Sequence, residues 1–163
     1  MGGPATRTET CGMRIERDSL GEREVPEGVL YGIHSLRSME NFNVSDEKLD
    51  KEIIFGIVKL KWACALANHD LGFLSQEKTD AIIDSCDEVI HGKHNDQFVV
   101  DVFQAGSGTS SNMNINEVLA NLAAIKLGGK PGDRNLVHPN DDVNRGQSTN
   151  NIFPSGIKVA AAE

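Results

Sequence analysis

Apolar residues return in helical steps over most of this chain. From Lys51 onward Ile53, Ile54, Ile57, Val58, Trp62 and Ala65 recur every three or four positions, and Gly72 supplies a stop. Ser75 is placed to cap a second helix. Its stripe is Ala81, Ile82, Cys86, Val89 and Ile90, and Gly92 follows as the residue past its end. A third helix is predicted over roughly 112–127, with Val118, Leu119, Leu122 and Ile125 on one face and Gly128-Gly129 ending it. The N-terminal side differs. Met13-Arg14-Ile15-Glu16, Ser19-Leu20-Gly21 and Val25-Pro26 carry strand and turn signals, which predict a short hairpin or extended arm over 13–30. Residues 128–147 read as loop. A last helical pattern starts between Ser148 and Pro154 and runs through Ile157, Val159 and Ala160 to Glu163 with no stop signal, as if cut inside a helix.

Two polar stretches stand out against these stripes. Gln104-Ala105-Gly106-Ser107-Gly108-Thr109-Ser110-Ser111-Asn112-Met113-Asn114 is rich in glycine and hydroxyl groups and opens a helix. It misses the dinucleotide pattern because Ser111 holds the third glycine position, and Gly129-Lys130-Pro131 misses the Walker pattern. What it retains is general: close backbone approach, neutral donors, and a helix N-terminus that favours an anion. The second stretch, His138-Pro139-Asn140-Asp141-Asp142-Val143-Asn144-Arg145-Gly146-Gln147-Ser148-Thr149-Asn150, also leads into a helix through donors. Two such helix starts suggest a shared carboxylate or phosphate site, against the plainer reading of structural caps. Asp141-Asp142 reads more readily as a solvated turn than as an acid–base pair. His91 and His94 lack a third ligand at metal spacing.

Composition narrows the function classes. The chain has 163 residues, with 16 Lys+Arg against 24 Asp+Glu and a formal charge of −8, so a basic nucleic-acid footprint is missing. Its apolar runs fall short of the ~18 residues a membrane span needs. Residues 1–12 are small and polar and read as a flexible leader, with Gly2 meeting only a loose myristoylation pattern. Cys11, Cys64 and Cys86 are odd in number and widely spaced, which favours reduced thiols in a cytoplasmic protein.

Taken together, the loops resemble the aspartase/fumarase superfamily. The resemblance rests on Arg14–Pro26, on Tyr31-Gly32-Ile33-His34-Ser35-Leu36-Arg37 through Phe42, and on Asp96-Gln97-Phe98. Above all it rests on Gly106-Ser107-Gly108-Thr109-Ser110-Ser111-Asn112-Met113-Asn114-Ile115-Asn116-Glu117-Val118 and on His138–Asn144 with Gln147–Asn150. It implies a mainly α fold: a small N-terminal helical domain with a short β arm over 13–147, then the start of a long helix of a central bundle over 148–163. It implies a homotetramer whose sites combine blocks from three subunits, and a small dicarboxylate substrate. No cofactor or metal is expected, and the acidic charge and short apolar runs argue against a nucleic-acid or membrane partner.

By the same resemblance Thr109, Ser148, Thr149 and Asn150 contact substrate, with Ser107 close behind. His138, Asn140 and Asp141 match a second anion site. The family's base serine, in a Gly-Ser-Ser-x-Met-Pro-x-Lys-x-Asn loop, has no counterpart here. No catalytic residue is therefore assigned, and the chain alone is expected to be inactive. Asn151 stands where the family usually has Asp. Gly92–Phe98, Gln147–Asn150 and the Arg14–Pro26 arm look more like aspartate ammonia-lyases. Gly106-Ser107-Gly108 and Asp141-Asp142 look more like class II fumarases. The expectation is an ammonia-lyase part, with a fumarate hydratase part as the alternative and a non-catalytic dicarboxylate-binding or subunit-interaction module as a third.

Overall fold

The computed structural model describes residues 12–163. The leader expected at 1–12 lies outside the described residues except for Gly12. Over the described residues the chain is mainly helical with one two-stranded sheet. Strand β1 (Met13–Asp18) pairs antiparallel with β2 (Gly21–Pro26), in register from Met13 opposite Pro26 to Asp18 opposite Gly21. Five helices follow: α1 (Ile33–Asn41), α2 (Lys51–Asp70), α3 (Gln76–Ile90), α4 (Thr109–Lys126) and α5 (Thr149–Ala162).

The hairpin is attached by its polar face. Alternation along β1 turns Arg14, Glu16 and Asp18 inward and leaves Ile15 exposed. The Arg14 guanidinium donates to the carbonyls of Pro26 (2.7 Å), Val29 (2.8 Å) and Tyr31 (2.7 Å). Asp18 receives a two-pronged bond from Arg37 of α1, at 2.8 and 2.9 Å.

The stripes read from sequence form the core. Asp50 caps α2 and Ser75 caps α3 through their own side chains. Ile54, Ile57 and Val58 of α2 meet Ile82, Cys86 and Val89 of α3 and Ile115, Val118 and Leu119 of α4. Each fully buried Ile or Val of this set contributes roughly 1.5–3 kcal/mol. Helix α4 starts at Thr109, three residues before the predicted 112, because the left-handed Ser107 and Gly108 reverse the chain sharply enough for Thr109 to take the first helical position.

Helix α4 is buried on nearly all sides, and its polar residues tether the surroundings. Asn114 binds the Val99 N–H and the Gln97 carbonyl. Asn121 binds the Leu30 carbonyl and the Gly132 N–H. Helix α1 was not predicted, and the reason is physical: its N-cap, Gly32, has no side chain to signal a start. Its free N–H groups are met instead by Glu16 and Glu117, distant in sequence.

Glu88 ties the end of α3 to the end of α4. It accepts from Lys126 and from His94 Nε2 (2.9 Å). The Lys126 ammonium first, then the His94 ring, hold its carboxyl down at about 2. The folded value lies below the ordinary 4.5, so this stabilisation is present above pH 4.5 and lost as pH falls toward 2. Melting the chain at stepped pH should show Glu88→Gln flattening that acid limb, by about 1 kcal/mol or less for a partly exposed pair. An unchanged acid limb would remove Glu88 from the account.

Candidate functional site

The two polar stretches meet where α4 and α5 begin. Ser107 (φ 62°) and Gly108 (φ 75°) are both left-handed, a conformation that is strained for serine and natural for glycine. Together they turn the chain sharply into α4. Gly108 also lies against the Phe153 ring of α5, where an added Cβ would overlap the ring. Thr109 turns its hydroxyl back to the Gly106 carbonyl at 3.1 Å. On the facing side Ser148 precedes α5, and its carbonyl accepts from Asn151 and Ile152 N–H groups.

The N-cap residues of these two helices, Gly108 and Ser148, make no side-chain cap, although the Gln104 Oε1 accepts the Ser111 N–H of α4 at 2.8 Å. Helices α2 and α3 are capped by their own side chains, and α1 by buried carboxylates from elsewhere. Among the described residues the two N-termini that meet no carboxylate and no cap from their own N-cap residue are therefore the two that lie together. Ser111 and Asn151 N–H are met by the Gln104 amide and the Ser148 carbonyl, so what these starts offer an external anion is their remaining first-turn N–H groups and their positive dipole ends.

A buried hydrogen-bond cluster braces this place. Asn112 of α4 donates through Nδ2 to Thr149 Oγ1 (2.9 Å) and to Asn144 Oδ1 (3.3 Å). Lys61, fully buried on α2, donates to Asn144 Oδ1 and Gln147 Oε1, both at 2.8 Å. Burial pushes the Lys61 ammonium down to about 7. Sequence reasoning missed Lys61, Asn112 and Asn144. The signal was available for Lys61: it occupies an apolar step of the α2 stripe, between Ile57, Val58 and Ala65.

The structure thus brings Ser107 and Thr109 on one side close to Ser148, Thr149 and Asn150 on the other. The Asn112–Thr149 bond is the direct link. His138, Asn140 and Asp141 lie apart, on a π-helical turn (Pro139–Val143). There His138 Nδ1 accepts from the N–H groups of Asn140 (3.2 Å) and Asp141 (3.0 Å), so the turn caps itself. A neutral ring then carries its proton on Nε2. Asp141 and Asp142 diverge, since Asp142 binds Lys78 (2.7 Å) while Asp141 is exposed. His91 and His94 are spent on the Asp87 carbonyl and on Glu88. Among the described residues no group of three His, Cys, Asp or Glu is placed to hold a metal, and no helix is long and apolar enough to cross a membrane.

With this geometry in hand, the comparisons are specific. A family described as lyase matches residues 21–163. A class II fumarate hydratase of Chromobacterium violaceum is 50% identical over 150 residues, 92% of this chain and 32% of that protein. A crystal structure of fumarate lyase:delta crystallin from Brucella melitensis superposes with a TM-score of 0.90 at 47% identity, covering 93% of this chain and 36% of that one. A recombinant class II fumarase from Schistosoma mansoni follows at 0.87 and 39%, covering 93% and 32%. The chain spans about a third of the length of the curated relatives it matches.

These relatives overturn the ammonia-lyase expectation. Proteins named class II fumarate hydratase match at 43% to 51% identity over most of the chain. The structure shows why the sequence leaned the other way. The segments weighed toward aspartate ammonia-lyase are largely scaffold: Gln97 Oε1 holds the Leu30 N–H, Asn95 holds the Gly92 carbonyl, and Arg14 fastens the hairpin. Gln147 faces Lys61. Residues spent on the fold carry no information about the group added to the substrate.

Proposed function

The chain belongs to this lyase family, and from that premise we propose that it forms part of a class II fumarate hydratase, supplying hydrogen-bond donors to the substrate dianion. Ser148, Thr149 and Asn150 are the donors; Thr109 joins them by turning its hydroxyl from the Gly106 carbonyl to the substrate, with Ser107 shaping the turn beside them. The supporting observation is the pairing, around the Thr149 hydroxyl, of two helix starts that meet no carboxylate and whose N-cap residues make no cap. Because Thr149 Oγ1 accepts from Asn112, its own proton is directed to another acceptor. A carboxylate is the acceptor that suits neutral donors and two positive helix ends.

In hydration a water gives up one proton to a general base and its oxygen bonds one alkene carbon. The displaced electron pair moves onto the far carboxylate, and a proton then adds to the carbon between. The intermediate carries an extra negative charge on the carboxylate oxygens. Preorganised donors stabilise it more than the substrate, each worth about 2.7–4 kcal/mol. No base is assigned among these residues. His138, Asn140 and Asp141 are proposed as a secondary anion site, through His138 Nε2 and not through the N–H groups its ring already occupies. The working enzyme is proposed to be a homo-oligomer, in which exposed Phe103 and Ile157 are covered by a neighbouring copy.

The test is a chimera. Residues 21–163 replace the matched segment of the Chromobacterium violaceum class II fumarate hydratase, and malate formation from fumarate is followed with and without ammonia. Malate is expected in both cases. Thr149→Val should lower kcat/KM about 10²–10³-fold while the chimera stays folded. Aspartate formation, or a folded chimera with no hydration, would overturn the proposal.

A further inference from the structure

We propose that Lys61 is a positioning residue that sets the donor direction of the Thr149 hydroxyl, acting through Asn144 and Asn112. The inference takes its purpose from the fumarate-site reading, but its first test does not depend on that reading.

An ammonium has three donors and no acceptor, so groups facing it must present oxygens. Lys61 Nζ meets Asn144 Oδ1 and Gln147 Oε1 at 2.8 Å each. This orients both amides. Asn144 Nδ2 is turned to the Gln147 carbonyl (3.1 Å), and Gln147 Nε2 to the Val143 carbonyl (2.9 Å). With Asn144 Oδ1 on the shared side, Asn112 must approach it with Nδ2, not Oδ1. The same NH₂ group supplies the bond to Thr149 Oγ1 (2.9 Å). A hydroxyl that accepts in this way keeps its proton for the open side, where the substrate carboxylate would lie.

A second observation shows that this orientation is imposed. Asn112 is 1% exposed, and its Oδ1 has no hydrogen-bond partner among the described residues. Leaving a buried acceptor unpaired is costly. Flipping the amide would set Oδ1 against Asn144 Oδ1 and draw the Thr149 proton inward to Asn112, so the lysine end of the cluster decides the matter. Lys61 has no carboxylate partner among the described ion pairs. The titratable groups that face it are Cys64 on its own helix and Cys86 on α3. Burial alone would favour Met or Leu at this step of the stripe.

The experiment is a ligand-free NMR titration of the ¹³C,¹⁵N-labelled chain from about pH 5 to about pH 9, the range that brackets a buried lysine lowered in this way. The side-chain amide signals of Asn112, Asn144 and Gln147 should move with the midpoint of Lys61 Cε. In Lys61→Arg they should hold their acid-limb positions throughout, and in Lys61→Met the common midpoint should vanish. If the Met variant does not fold, the wild-type titration and the Arg variant still decide. Amide signals that follow neither the protonation of Lys61 nor its replacement by Arg would overturn the proposal. A second arm adds fumarate at millimolar concentration and follows the Thr149 and Asn150 amides. Binding should be about tenfold tighter below the Lys61 midpoint than above it. Amides linked to Lys61 but blind to fumarate at every pH would remove the substrate reading and leave the positioning role standing. Equal fumarate affinity on both sides of the midpoint would overturn the positioning role.

Discussion

Glu117→Ala should destabilise the chain by about 3–5 kcal/mol, the scale of stripping the partner from a buried charged network. Glu117 is 1% exposed on α4. It accepts the N–H groups of Gly32 (2.9 Å), His34 (2.8 Å) and Ser35 (3.1 Å), and the Ser35 hydroxyl (2.6 Å). These are the groups that a helix start leaves unpaired, and α1 has no side-chain cap of its own. Each buried donor orphaned by the substitution costs about 1–3 kcal/mol, partly recovered where water enters the gap. Arg134, 4.0 Å away, also loses a countercharge. The fit is tight. A Cβ on Gly32 would lie 2.7 Å from Glu117 Oε1 and 2.8 Å from Glu16 Oε2, so glycine and the two carboxylates are accommodated as a set. Urea unfolding should show a lower midpoint at unchanged slope, with Glu117→Gln losing about half as much because one carbonyl oxygen remains. A loss below about 1 kcal/mol for the alanine variant would show that α1 does not depend on this carboxylate.

Gly56→Ala is the second large effect, expected at about 3 kcal/mol and concentrated on α5. Helices α2 and α5 cross where Gly56 faces Gly156. A Cβ on Gly56 would overlap the Gly156 carbonyl oxygen and come within 3.2 Å of the Ala160 nitrogen. Helix propensity favours alanine by about 0.8–1.0 kcal/mol. The overlap opposes it and is larger, because it is with backbone that no rotamer change can move. Relief requires the helices to separate, which forfeits contact along the whole crossing. Separation also draws Thr149 away from Asn112 and so opens the candidate site. Hydrogen exchange should show residues 152–160 losing protection while α3 and α4 keep theirs. Uniform protection in a fully stable Gly56→Ala chain would mean that the crossing is looser than described.

The legible parts of this fold share one property: their determinants lie within about one helical turn of each other. The α2 and α3 stripes, the Ser75 cap and the glycine stop past α3 are of this kind, and all are found as read. So is the hairpin, whose register follows from its Ser19-Leu20 turn. Helix α1 was hidden because its cap comes from Glu117, 82 to 85 positions away. Its sequence from Ile33 to Asn41 offers no local start. The candidate site was half legible. Ser107, Thr109 and Ser148–Asn150 stand out by composition and by family resemblance. Lys61 does not, since a lysine in a stripe ordinarily faces solvent, and Asn112, though inside the first polar stretch, shows no role until Thr149 and Asn144 are packed against it. The substrate preference was misread for a related reason: Gln97, Asn95 and Arg14 look informative in the sequence but are occupied with the fold.

The sequence by itself determined the mainly helical class, the order of most elements, the family, and the residue types offered to an anion. Those follow from periodicity, from caps within four residues, and from two contiguous motifs. Only the tertiary structure decided which helix starts remain open. That choice depends on carboxylates arriving at α1, whereas among the described residues α4 receives only the neutral Gln104 amide at Ser111 and α5 receives no side chain. It also decided the direction in which Thr149 donates, because Lys61 and Gln147 meet across 86 positions of chain. Donor direction belongs to a closed set of hydrogen bonds, and such a set exists only once packing has brought its members together.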